Sequence, residues 1–148
     1  MQQPAKHDIW LREGWKRFRS QKYWEAHESW EALWLDLPKA SRGRLRTRAL
    51  IQITAAFYKP EQAHEGRPLR RMQRGMSALL TAARKHLDQA ANAPPPTIAI
   101  DSKILDELLT RATNYCHQWH GGKALLSLRR ELASQVQALP PEPPPPSE

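Results

Sequence analysis

The stretch from Lys22 to Trp34, KYWEAHESWEALW, interleaves one histidine and three glutamates with three tryptophans. On a helix His27 and Glu31 lie one turn apart, so the carboxylate can hold one imidazole nitrogen and set the tautomer. That pair has the make-up of a general base. Glu28 would then serve as acid or electrostatic partner, and Gln52 or Tyr58 would orient a substrate. His27, Glu28 and Glu31 are the catalytic candidates of this reading, a proton-transfer or hydrolytic one. No serine or cysteine nucleophile is placed beside them, because Ser29 falls on the outward side of the same helix with Glu25 and Asp36.

The same residues could serve other ends. As metal donors His27 and Glu31 are weak, since the pattern is H-E-x-x-E rather than H-E-x-x-H. Glu61 and His64 have a Glu-x-x-His spacing but follow Pro60, in an expected loop. No metal or cofactor is called for. A hydrogen-bonded network that sets helix register is the plainest alternative, because buried polar groups are normally paired for structural reasons. Tryptophan walls with a few convergent polar groups also suit a small-ligand pocket. The residues of that pocket would be Trp24, His27, Glu28, Glu31, Trp34, Gln52 and Tyr58.

A second constellation is basic. Of 23 lysines and arginines and 15 acidic residues, residues 39–85 hold 12 basic and only 2 acidic ones. Arg44, Arg48, Arg67, Arg70, Arg71 and Arg74 are the nucleic-acid or acidic-partner candidates of this stretch. It contains no readout motif, and no tryptophan is interleaved with these arginines in sequence as a stacking platform would be. A solvated basic face is therefore favoured over a nucleic-acid interface.

The elements that must position these groups are helices. Proline and glycine divide the chain into segments near residues 8–20, 22–37, 41–59, 68–91, 101–119 and 123–139, with Asp8 and Asp101 as caps and Gly121 and Gly122 breaking the last pair. In the second, Ala26, Trp30, Leu33, Trp34 and Leu37 form one apolar arc with Tyr23 on it and His27 at its edge. The third is apolar almost all round, which predicts a central position in a bundle. Its polar strip is Arg48, Gln52 and Lys59, so Gln52 needs a partner inside the protein. The fourth has one apolar stripe with arginines opposite. Together they predict an all-α, single-domain bundle of five or six helices over residues 1–139, followed by a disordered or extended Pro-rich tail, residues 140–148.

The chain has 148 residues, enough for one sizeable core. Its single cysteine, Cys116, excludes an internal disulfide and fits a reducing compartment; it should pack as a small hydrophobe. No apolar run is long enough to span a bilayer, and the opening residues lack a hydrophobic signal core, so a cytoplasmic protein without a membrane partner is expected.

Tyr23, Trp24, Glu25, Ala26, His27, Glu28, Trp30, Glu31 and Trp34, followed by Leu50, Ile51, Gln52, Ala55, Ala56, Phe57 and Tyr58, resemble the helical-bundle family named domain of unknown function 309. Its members carry E-A-H-E-x-x-E-x-x-W and then L-I-Q-x-x-A-A. The similarity runs over residues 13–90 and includes Gly14 and Phe18. It implies that the two motif helices pack together, and it implies no activity. After Tyr58, Lys59 and Pro60 stand where the family often has a histidine-containing stretch.

Overall fold

Six α-helices carry the apolar stripes in a computed structural model that describes residues 2–119 and 125–146. They are α1 (Gln2–Arg19), α2 (Tyr23–Asp36), α3 (Arg42–His64), α4 (Leu69–Ala90), α5 (Ser102–His117) and α6 (Leu125–Gln137). No strand occurs among the described residues. The fold is an all-α single-domain bundle. The break expected at Gly121 and Gly122 lies outside the described residues.

The central helix is α3, which packs on α2, α4, α5 and α6. Ala49, Leu50, Ile53, Ala56 and Phe57 are fully enclosed on it. Three contacts fix its direction relative to α4. Arg42 donates to Ala90 O, Gln52 meets His86, and Lys59 lies over Gly75. As one partner's number rises the other's falls, so the two helices are antiparallel. Gly66, at φ +108°, supplies the left-handed turn between them.

Pro60 does not end α3, contrary to the expected stop at Lys59. The helix continues through Pro60 to His64. A proline inside a helix removes one backbone donor, and here tertiary contacts offset the loss. Pro60 and Ala63 are buried, and Glu61 is gripped by Arg129 of α6 through two 2.9 Å bonds. Glu61 and Gln62 are thereby on a helix rather than in a loop.

The first two helices meet at Gly14, where the Trp30 indole fills the space a side chain would need. Trp30 is fully buried and donates to Leu11 O at 3.2 Å. Phe18, Tyr23 and Phe57 complete an aromatic core with it. After α6, Pro140–Pro146 forms no helix, and two of its carbonyls hold the bundle: Pro140 O accepts from Trp15 Nε1 at 2.8 Å and Pro144 O from the Asp101 amide at 2.8 Å. Asp101 caps α5 by accepting from the Lys103 amide. Cys116 is buried, and burial pushes its thiol pKa up.

Candidate functional site

The pair His27 and Glu31 forms as its spacing predicts, with Nε2 3.5 Å from a Glu31 carboxylate oxygen. The wider cluster does not assemble. Glu28 and Glu31 are exposed, and the Gln52 amide oxygen bonds His86 Nδ1 at 2.9 Å instead of meeting His27. The cause is the antiparallel register of α3 and α4, which brings His86 over Gln52 from 34 positions away. Burial holds His86 below the usual histidine range, and the charges of Arg48 and Lys85 add to it. Its Nδ1–H therefore donates to Gln52.

Trp34 also leaves the expected pocket. The guanidinium carbons of Arg44 and Arg48 lie 4.3 and 4.9 Å from its ring centroid, within cation–π range. A tryptophan is therefore interleaved with these arginines in space although none is in sequence. Arg44 also donates to Leu37 O at 2.9 Å. Arg67, Arg70, Arg71 and Arg74 are exposed at the opposite end of the α3–α4 pair, so the two arginine groups do not make one continuous stripe. Ser29 and Asp36 do not face open solvent. Ser29 is buried, bonded by Arg17 and donating to Glu25 O, while Asp36 accepts from His7 Nε2 at 2.8 Å.

What the structure does bring together is a smaller cleft between α2 and α3, lined by Tyr23, Trp24, His27, Tyr58, Lys59 and Gln62 over a floor at Ala55, with a volume of roughly 130 Å³. Trp24 stacks on His27, centroids 5.2 Å apart and planes within 14°, and it approaches Tyr58 at 6.2 Å. Trp24 is 53% exposed, unlike the enclosed Trp15, Trp30 and Trp119. Two residues of this wall each carry a buried polar atom without a hydrogen-bond partner, His27 Nδ1 and Gln62 Oε1. Tyr23 closes the inner side. Burial raises its phenol pKa strongly, Glu61 raises it further and Arg129 pulls it back, so it remains a neutral wall.

Of the residues proposed from sequence, Trp24, His27 and Tyr58 line this cleft, with Glu31 behind the imidazole. Gln62 is not among them, because a proline ordinarily ends a helix and so puts residue 62 in a loop; with α3 continuing past Pro60, Gln62 lies one turn beyond Tyr58 on the same face. Among the described residues no group of three or more His, Cys, Asp or Glu is placed to hold a metal ion, so His27 and Glu31 have no third donor of that kind. Glu61 and His64 both lie on α3, and the Glu61 carboxylate is already engaged by Arg129 at both oxygens.

The family model described as Domain of unknown function (DUF309) matches residues 11–72. Residues 11–72 are similar to the DUF309 domain. This span is shorter at its C-terminal side than the resemblance read from sequence, and it contains the whole cleft together with Gly14 and Trp30. His86 and Arg74 lie outside the DUF309 segment. No curated protein and no solved structure matches the chain. No described helix is long and apolar enough to cross a membrane.

Proposed function

We propose that this is a cytoplasmic protein that binds a small ligand in the cleft of Trp24, His27, Tyr58 and Gln62. The observation that carries the reading is the pair of buried, unpartnered atoms, His27 Nδ1 and Gln62 Oε1, on the wall of one aromatic-sided cleft. A buried acceptor without a partner costs roughly 1–3 kcal/mol. Two in one place mark a site whose hydrogen bonds are completed by something other than the chain itself. The exposed Trp24 ring adds a stacking surface that a purely structural residue would have enclosed.

The hydrolytic alternative has the His27–Glu31 pair, but the nearest serine in sequence, Ser29, has its hydroxyl engaged with Arg17 and the Glu25 carbonyl. The nucleic-acid or acidic-partner alternative rests on the group from Arg67 to Arg74, because Arg44 and Arg48 are already occupied on Trp34.

The test is a fragment screen read by backbone and indole amide NMR shifts, with thermal melts on Gln62→Leu. Hits should shift Trp24, His27, Tyr58 and Gln62 together and lose affinity in Gln62→Leu, while that variant melts no lower than wild type because an unpartnered acceptor has been removed. A Gln62→Leu protein destabilised by more than about 1 kcal/mol would show a satisfied structural amide. That result, or hits that avoid the cleft, would refute the reading.

A further inference from the structure

The unpartnered polar atoms of the cleft, His27 Nδ1 and Gln62 Oε1, and its aromatic walls bear on what it would take. Glu31 lies 3.5 Å from Nε2, and the tautomer that carries its proton on that nitrogen leaves the Nδ1 lone pair as an acceptor. Gln62 Oε1 is a second acceptor without a donor. Trp24, Tyr23 and Tyr58 present rings whose faces are electron-rich. Two carboxylates stand close behind, Glu31 at His27 and Glu61 near enough to Tyr23 to raise its phenol pKa.

The cations nearby are turned to other partners. Arg129 is held by both oxygens of Glu61. Lys59 lines the cleft, but its side chain crosses toward α4. A Cβ placed on Gly75 would meet Lys59 Cε at 3.2 Å and Nζ at 3.8 Å, so the amine lies over that helix.

Resting on the ligand reading above, we infer that the cleft takes a small planar cation with adjacent N–H donors, a guanidinium or amidinium head group. Both atoms are closed to solvent, so such a group would donate to His27 Nδ1 and Gln62 Oε1 once the exposed Trp24 ring turns aside, its face then lying against an aromatic ring, the contact that favours guanidinium over ammonium. At roughly 130 Å³ the space admits a head group and falls below the 300–1,000 Å³ range of pockets for larger molecules.

The experiment compares probes of one shape and different charge: methylguanidinium, N-methylurea and acetate, titrated into the full chain while the Trp24 indole N–H resonance, assigned with Trp24→Phe, is followed. Methylguanidinium should bind at least tenfold more tightly than N-methylurea, and acetate should leave the resonance unmoved. Lys59→Met, which removes a neighbouring positive charge, should tighten methylguanidinium severalfold; His27→Phe should weaken it at least tenfold. An arm with N-acetyl-arginine amide separates a free cation from an arginine side chain as the source, and saturation by either supports the inference. Equal binding of urea and guanidinium, or preference for acetate, overturns the cationic class while leaving a ligand cleft in place. No movement of Trp24 with any probe, together with no cleft-directed fragment hits, overturns the inference and the ligand reading alike.

Discussion

Replacing Gly14 by alanine should destabilise the protein, although the same change inside an ordinary helix does the reverse. Gly14 lies within α1, and alanine is better than glycine in a helix interior by about 1 kcal/mol. Here the added methyl would collide with Nε1, Cδ1 and Cε2 of the Trp30 indole. Trp30 is fully enclosed, with Phe18 5.7 Å away, and has no free volume to enter. Overpacking of this kind costs about 1–3 kcal/mol, and displacing the indole from Leu11 O forfeits roughly 1 kcal/mol more. After the propensity gain, Gly14→Ala should lose about 1–3 kcal/mol, a drop of several degrees in Tm at roughly 2–4 °C per kcal/mol for a chain of this size. Gly75→Ala is the control, because its methyl would meet only the flexible stem of Lys59 at 3.2 Å. It should be neutral or gain up to about 1 kcal/mol. Urea denaturation of both variants, and of Gly14→Ala combined with Trp30→Phe, measures the coupling directly. The smaller ring should recover part of the loss. If Gly14→Ala matches Gly75→Ala in stability, the close approach of α1 to α2 at Trp30 is wrong.

Two further predictions concern pH. Burial, then the charges of Arg48 and Lys85, hold His86 below the ordinary histidine value, so the unfolded chain binds its proton first; stability should fall as pH drops from about 6.5 through the lower folded value, and His86→Gln should lessen that fall in urea titrations at stepped pH. An unchanged pH profile in the variant would contradict the buried setting of His86 beside Arg48 and Lys85. Asp36 is held below its usual range chiefly by the hydrogen bond from His7, helped by the charge of Lys6, so its contribution is complete above about pH 4 and lost as pH falls through the depressed value. Asp36→Asn should flatten the acid limb of the stability curve, and an acid limb identical to wild type would deny the tie between α1 and α2.

The helices were legible because each depends on a local period. The arc of Ala26, Trp30, Leu33, Trp34 and Leu37 is visible from spacing alone, and the structure buries all of it but Trp34, which is half-buried. His27 and Glu31 were legible for the same reason, being one turn apart on one helix. Gln52 was recognised as needing a partner, but its partner was not, because His86 reaches it through the register of two antiparallel helices and no local pattern encodes that register. The ring of Trp34 between Arg44 and Arg48 was hidden likewise, since the arginines come from the next helix. His7 and Asp36 join the two ends of the α1–α2 pair across 29 positions, beyond any periodicity rule.

Pro60 is the most instructive failure, because the local rule was sound and the tertiary terms outweighed it. A proline in a helix interior costs about 3 kcal/mol. Against this stand the burial of Pro60 and Ala63 and a two-pronged Arg129–Glu61 bond, none of which a single helix can supply. The functional consequence follows from the extra turn. Had α3 stopped at Lys59, Gln62 would belong to a loop and Glu61 would not stand beside Tyr23. Because the helix runs on, Gln62 completes a wall begun by Tyr58, and the site moves from the middle of the α2–α3 seam, where Gln52 was expected to face His27, to the place where the first turns of α2 meet the last turns of α3. The exposed face of Trp24 lies there, and so do both unpartnered acceptors. The helix extension past a proline and the proposed ligand cleft are therefore one feature. A change that releases Arg129 from Glu61 would act on binding through Gln62, with no direct contact to the ligand.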